Sequence, residues 1–442
     1  MNESISPAAP DRDHAEPVGS TGQPAGGLGE LMARLDADLA ASDADLLTRY
    51  PGDDGSRQPV HTVYVPADHW TSDLPRQWGA RALAALDEHG IDGPALAEVA
   101  DLDPALAEEV LPLVRAKLAA EPIEDLRIDF EDGFGDRGDR AEDEAVDVAV
   151  AALAAAVASG TAPPFLGIRF KSFESPTRRR GLRTLDRFVG GIAQGGSLPI
   201  GFVVTLPKVT AVEQVAAMVT TCDHLERTHG LGVGAMRFEI QVETPQSILL
   251  ADGSAGVAQL IGAADGRCTG LHYGTYDYSA SLGISAGRQS MEHPAADHAK
   301  AVMQVAAAGR GVRLSDGSTN VVPVGAPEAV RAAWRLHARL VRRSLDRGFY
   351  QGWDLHPLQL PTRYAATFAF YRNGFPASAT RLRAYLRRDD SGFLDEPATA
   401  RALAWFVARG LDCGAVREDE VMDRIDVDAA GVRALAHPRR VG

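Results

Sequence analysis

Apolar residues recur along this chain in two rhythms. Short runs of alternating or continuous hydrophobic character read as eight strands: HTVYVPA, DLRIDF, FLGIRF, IGFVVTLPKV, RFEIQVET, TGLHYG, GVRLSDG and FYQGWDLHP. Between many of them lie Ala/Leu-rich stretches with helical spacing, among them EDEAVDVAVAALAAAVASG, AVEQVAAMVTTCDHLERTHG and PEAVRAAWRLHARLVRRSLDRG. Strands alternating with helices predict a parallel sheet with helical crossovers, and eight such units predict a closed (β/α)8 TIM barrel of the α/β class. An open doubly wound sheet would normally carry a dinucleotide or phosphate loop after an early strand. Neither G-x-G-x-x-G nor G-x-x-x-x-G-K-[ST] occurs in the sequence.

Residues 1–28 are rich in Pro, Gly, Ser and Asp and predict a disordered tail. Residues 29–59 predict a helix and a linker, with Leu31, Leu35 and Leu39 continuing a face begun at Leu28. The barrel is placed at residues 60–360, with a helical insertion at about 75–121 between its first two strands. Residues 361–442 predict a C-terminal helical extension, a lid or an oligomer arm, built from TRYAATFAFYRN, SATRLRAYLRRDD and DEPATARALAWFVARG.

Composition narrows the function classes. The 442 residues carry a formal net charge of −15, which disfavours nonspecific binding to nucleic acid or to an anionic membrane. The three cysteines, Cys222, Cys268 and Cys413, are far apart and form no C-x-x-C pair, so neither a disulfide framework nor a thiolate zinc site is expected. The opening MNESISPAAPDRDHAEP lacks the basic and apolar regions of a signal peptide. No apolar run approaches the roughly 20 residues of a membrane span. A cytoplasmic protein is the expectation.

Chemistry in a (β/α)8 barrel sits where the strands end at their C-terminal side. Here those ends carry ionisable residues: Asp129, Glu131 and Asp132 after strand two, Arg169 and Lys171 at strand three, and Lys208 after strand four. Glu243 ends strand five, Asp277 follows strand six, and Asp354, His356 and Gln359 follow strand eight. Acids outnumber the facing Arg169 and Lys208, so the mouth calls for a cation. Oxygen ligands without Cys or clustered His indicate Mg2+, with Mn2+ next. Glu243 and Asp277 end neighbouring strands about 4.8 Å apart. Both can therefore reach one ion at about 2.0–2.1 Å, with the acids of strand two behind its waters.

Taken singly, each residue has an ordinary role. A strand-end acid serves as a helix cap or an ion-pair partner, and Asp132 before Gly133 as turn chemistry. Lys208 can lean on the rim, His356 before Pro357 can be structural, and TRRRG at 177–181 can be a solvated face. It is their convergence on one mouth that points to an active site.

Seven segments, in order, resemble the HpcH/HpaI aldolase and citrate lyase β-chain family, which includes malyl-CoA lyases and is related to malate synthase. They are VYVPA, DFEDGF, IRF, LPKV, VETP, GTYDYSASLG and GWDLHPLQ, spread over residues 60–375. The resemblance implies a Mg2+-dependent barrel that makes or breaks a carbon–carbon bond next to a carboxylate. It places Glu243 and Asp277 on the metal ligands, Arg169 on the substrate arginine, and Glu131 and Asp132 on the paired acids. It also implies a homo-oligomer, trimer or hexamer. The sequence departs from the family at Val60-His61, at Arg169-Phe170-Lys171 and in the enlarged segment between strands one and two. The histidine base of the aldolase branch is not evident in FEDGFGDRGDR.

The activity expected is a lyase or aldolase on a 2-oxo acid, a 3-hydroxy acid or a hydroxyacyl-CoA thioester. Arg169, Lys208 and His356 would bind substrate, and Asp132, Glu131 and His356 are candidates for the general base, with a residue of a neighbouring subunit as a further one. Two other readings use the same acids: hydrolysis of a hydroxyacyl-CoA thioester, and a non-catalytic barrel that binds a dicarboxylate.

Overall fold

The computed structural model describes residues 27–388 and 396–437, so the expected tail lies outside the described residues except for Gly27 and Leu28. The chain divides after Arg49 into two units. The first contains one helix, Leu28–Arg49, whose Leu31, Leu35 and Leu39 are all exposed.

All eight expected strands form in the second unit. They are β1 (His61–Pro66), β2 (Asp125–Asp129), β3 (Phe165–Arg169), β4 (Phe202–Leu206), β5 (Phe238–Val242), β6 (Cys268–Tyr273), β7 (Arg313–Ser315) and β8 (Gly352–Asp354). Each pairs in parallel with its sequence neighbour from β1 through β7, and β8 pairs with β1. The barrel closes where Ser315 bridges Gln351 and the Asp316 N–H donates to the Gln351 carbonyl at 2.8 Å. This is a TIM barrel. Among the described residues no helix is long and apolar enough to cross a membrane.

The period of two along each strand sorts the side chains. Leu126 and Ile128 of β2 and Phe238, Ile240 and Val242 of β5 are buried with the apolar core. The alternate positions of these strands, Asp125, Arg127 and Asp129 with Glu239, Gln241 and Glu243, are buried too, and the barrel axis is polar. Arg127 spans it: Nε and Nη2 donate to the two Glu239 oxygens at 2.9 and 2.8 Å, and Nη1 donates to Asp125. Trp353 Nε1 donates to His272 Nδ1 at 3.2 Å, so His272 Nε2 carries the proton it gives to Glu239 at 2.9 Å. Burial works to raise the Glu239 carboxyl, but Arg127 and His272 outweigh it and hold the group far below the usual range.

The enlarged β1–β2 connection folds as helices Leu74–Glu88, Gly93–Ala100 and Pro104–Ala120. Asp92 and Asp103 cap the second and third, each accepting backbone N–H groups and followed within two residues by a proline that needs none. Two of the runs expected after residue 361 merge into one helix, Leu360–Arg387, which continues through Pro376. Gly374 makes room there for Phe406 of the helix Pro397–Cys413, since a Cβ at 374 would lie 2.5 Å from the Phe406 ring.

Asp354 corrects one expectation. It ends β8 but points away from the barrel axis, where both oxygens accept from Arg363, His61 Nδ1 donates at 2.8 Å, and His337 Nε2 lies at 3.0 Å. Burial works to raise this carboxyl, and Arg363 with the two histidines holds it well below the ordinary range. A carboxyl depressed by folding contributes stability that is complete above the unfolded value of about 3.9 and is lost as pH falls toward the folded value. Asp354→Asn is therefore expected to cost about 3–5 kcal/mol at pH 7, because it leaves Arg363 buried without its counter-charge. Its melting temperature should also fall less steeply than that of the wild type below pH 4. Equal slopes in melts from pH 7 to pH 2 would remove Asp354 from the acid response.

Candidate functional site

Strand register brings the mouth together. Asp129 and Arg169 are register partners on β2 and β3. The Arg169 guanidinium donates to both Asp129 oxygens, from Nε at 2.8 Å and Nη2 at 2.6 Å. It also lies over the Tyr64 ring, 4.9 Å from its centre. Asp129 accepts in addition the N–H of Glu131 at 3.0 Å and of Gly133 at 2.9 Å, so one carboxylate holds the arginine and folds the turn behind it. A Cβ on Gly133 would meet Asp129 Oδ2 at 2.6 Å, which explains the glycine in DFEDG.

Lys171 secures the same loop from outside. Its buried Nζ donates to the carbonyls of Phe130 and Gly135 at 2.8 and 2.9 Å and to Glu142 at 2.6 Å. Two of the three arginines of TRRRG are engaged likewise: Arg180 bonds Asp143 at 2.7 Å and Arg178 the Phe173 carbonyl at 2.9 Å.

The turn delivers Glu131 and Asp132 to Lys208. The lysine Nζ lies 2.6 Å from Glu131 Oε1, 2.8 Å from Asp132 Oδ2 and 3.6 Å from Asp277 Oδ2. Its backbone N–H donates to Glu243 Oε1 at 2.7 Å, so one residue touches all four acids. Lys208 has φ +50°, the left-handed region that a lysine adopts only under constraint. Burial works to lower its ammonium, and the surrounding acids, Glu243 and Glu131 foremost, push it well above the usual lysine value.

The acids differ in environment. Burial raises the Glu131 carboxyl against the opposing charges of Arg169 and Lys208. Burial also works to raise Asp132, but the Lys208 hydrogen bond and the Arg169 charge hold it below the ordinary range. Glu243 is 1% exposed. Among the described residues no side-chain cation bonds its oxygens; they accept the Lys208 backbone N–H and the Gln241 amide. Burial pushes it up to about 8. Gly274 lets it stand there, since a Cβ at 274 would lie 2.5 Å from the Glu243 Cβ. Asp277 sits in the first turn of the helix Thr275–Ser281 with its side chain half exposed.

Of the residues singled out from the sequence, Arg169, Glu131, Asp132, Lys208, Glu243 and Asp277 thus form one connected group. His356 does not bond to it: it caps the short helix Pro357–Gln359, with Nδ1 accepting the Leu358 N–H at 3.2 Å. Gln241 escaped the sequence reading. It links Arg169 Nη1, 3.3 Å from its Oε1, to Glu243, and the alternation in RFEIQVET places it on the same face as Glu239 and Glu243.

Among the described residues no group of three or more His, Cys, Asp or Glu side chains is arranged to hold a metal ion. Glu243 and Asp277 still suit a hard cation: both offer oxygen, one is buried without a bonded side-chain counter-charge, and two carboxylates are what Mg2+ commonly takes from protein.

The backbone of Lys208 yields a direct test. Lys208→Ala keeps a Cβ in the left-handed region, whereas Lys208→Gly relieves it and loses the same ammonium. Urea denaturation should show the glycine variant more stable than the alanine variant by about 1 kcal/mol. The reverse order would mean that the backbone at 208 carries no strain.

No curated protein matches the sequence. Among solved structures, Haloferax volcanii malate synthase, native at 3 mM glyoxylate, is similar with a TM-score of 0.46 and 15% identity over 87% of this chain and 97% of that one. Its magnesium/glyoxylate complex gives 0.47 and 14% over 87% and 98%. An HpcH/HpaI aldolase/citrate lyase family protein from Burkholderia cenocepacia J2315 gives 0.39 and 15% over 72% and 93%. Residues 39–440 match the family described as Domain of unknown function (DUF6986), and the chain belongs to that family.

Proposed function

We propose that the chain is a divalent-metal-assisted carbon–carbon lyase or aldolase acting on a 2-oxo acid, a 3-hydroxy acid or its CoA thioester. The observation that carries this reading is the set of four acids in contact with Lys208, at the end of the barrel where TIM enzymes work. Glu243 and Asp277 would hold Mg2+ or Mn2+, and such an ion, when bound, supplies Lewis-acid stabilisation of negative charge on a carbonyl-derived oxygen.

The chain's own residues divide the remaining work. Asp129 fixes the Arg169 guanidinium, whose Nη1 edge, beside Gln241 and Glu131, is left to bind a substrate carboxylate. Lys208 adds a positive charge at the same opening. Glu131 is buried between these two cations on a turn held by Asp129, and we assign it proton transfer. Asp132, more exposed and kept ionised by Lys208, orients the ammonium.

Mg2+ should raise the melting temperature of the wild type and leave that of Glu243→Gln unchanged. The metal-free Glu243→Gln protein should itself melt higher than the metal-free wild type at pH 8, because it removes a carboxyl whose ionisation burial opposes. Pyruvate, oxaloacetate, glyoxylate and acetyl-CoA, each added with Mg2+, identify the substrate class by further shifts. An equal Mg2+ shift in both proteins would sink the metal assignment.

Arg169→Lys keeps the charge but loses the fork, so it should stay folded by circular dichroism and lose at least about 100-fold in turnover. Turnover near that of the wild type in a carbon–carbon cleavage assay would take Arg169 out of the reaction.

A further inference from the structure

A cavity of about 980 Å³ opens at the opposite end of the barrel, where the strands begin. Its wall includes Arg237, just before β5, Arg313, which starts β7, and Tyr350, just before β8. The helix Pro397–Cys413 adds Trp405 and Arg409. The wall carries four arginines and four acids, but they are not paired one to one. Asp125 and Glu239 are bonded to Arg127. Asp53 and Asp54 are tied to turn amides, accepting the N–H groups of Gly55 and Ser56 at 2.9 Å each.

Arg313 and Arg409 are held less closely, with the charges of Asp53 and, for Arg313, Asp54 nearby but with no carboxylate hydrogen bond to either among the described residues. Arg313 donates through Nη2 to the Ser56 carbonyl at 3.1 Å and to the Ser56 hydroxyl, and among the described residues no carboxylate bonds to it. Arg409 donates from Nη1 to the Gln58 side chain at 2.5 Å, and its Nη2 stands 3.9 Å from Asp53. Its Nε is buried with no hydrogen-bond partner. The guanidinium lies over Trp405 and Tyr350, 3.7 and 4.7 Å from the ring centres. Burial lowers both arginines below their ordinary value, the mark of cations withdrawn from water without full compensation. An anion that accepts from both would complete the arrangement. The planar fork of arginine suits a carboxylate or a phosphate.

We propose that this cavity is a second binding site, at the end of the barrel away from the acid cluster, for a small anion bearing a carboxylate or phosphate group, held by Arg313 and Arg409 with Arg237 at the rim. The anion accepts from the unpartnered guanidinium edges and lies against the Trp405–Tyr350 aromatic pair.

The test is phenylglyoxal labelling of the wild-type protein followed by peptide mass spectrometry, alone, with inorganic phosphate and with succinate. The arm that protects Arg313 and Arg409 identifies the anion class. The same anion should raise the melting temperature, and Arg313→Gln and Arg409→Gln should each weaken its binding about tenfold in calorimetry, the loss of one charge-assisted bond. Arg169→Lys, at the other end of the barrel, should leave that binding unchanged. Absence of protection by either anion overturns the proposal, and so does wild-type affinity in Arg313→Gln. Loss of binding in Arg169→Lys moves the anion to the mouth and overturns it too. The labelling needs no variant, so a failure of Arg409→Gln to fold leaves the test decisive.

Discussion

The fork between Asp129 and Arg169 governs what the mouth of the barrel can be. Two opposite charges, neighbours in strand register, cancel one another inside the wall. Neither could stay buried alone without a penalty of several kcal/mol. The same carboxylate receives two backbone N–H groups of the following turn. That turn therefore cannot relax without releasing the arginine. The positions of Glu131 and Asp132, and through them that of Lys208, follow from one salt bridge and a glycine that admits no side chain.

Deeper in the barrel the same logic repeats with Arg127, Asp125 and Glu239. Barrels of this class usually fill their axis with branched apolar residues. Here strand positions facing the axis carry charges, and the cohesive apolar packing lies on the outer face of the sheet against the helices. A polar axis of this kind adds little net stability, but it fixes orientation, since each ion has few geometries in which it is satisfied.

Much of this was legible in the sequence because period-two alternation and strand-end position are local signals. The eight strands, the helical insertion and the gathering of Arg169, Glu131, Asp132, Lys208, Glu243 and Asp277 at one mouth follow from them. What the sequence hid has physical reasons. Strand β8 is only three residues long, and its pairing with β1 sets Asp354 beside Val63, whose side chain is in the apolar core. A run that short does not reveal which face it presents. The helix continues through Pro376, where a proline would be read as a boundary, and packs at Gly374 against Phe406, a residue farther along the chain. The left-handed backbone of Lys208 leaves no trace in LPKV, so the sequence places the lysine at the mouth without revealing that its N–H also reaches Glu243. The cavity at the strands' beginnings gathers Ser56, Arg237, Arg313 and Arg409 from four distant segments with no common motif.

The position of Lys208 also bears on how a cation and an ammonium can share one mouth. Its Nζ is close to Glu131 and Asp132 and distinctly farther from Asp277. It meets Glu243 through its backbone N–H, a neutral donor. The Lys208 ammonium thus hydrogen-bonds the acids of the turn after β2, while Glu243 and Asp277 feel its charge without a hydrogen bond to it. Repulsion between an added divalent ion and the ammonium would sharpen this division, drawing Lys208 further toward Glu131 and Asp132. A left-handed backbone at residue 208 is what allows the side chain to turn one way while its N–H turns the other. The strain stored there is the structural cost of turning the side chain and the N–H of one residue toward different acids.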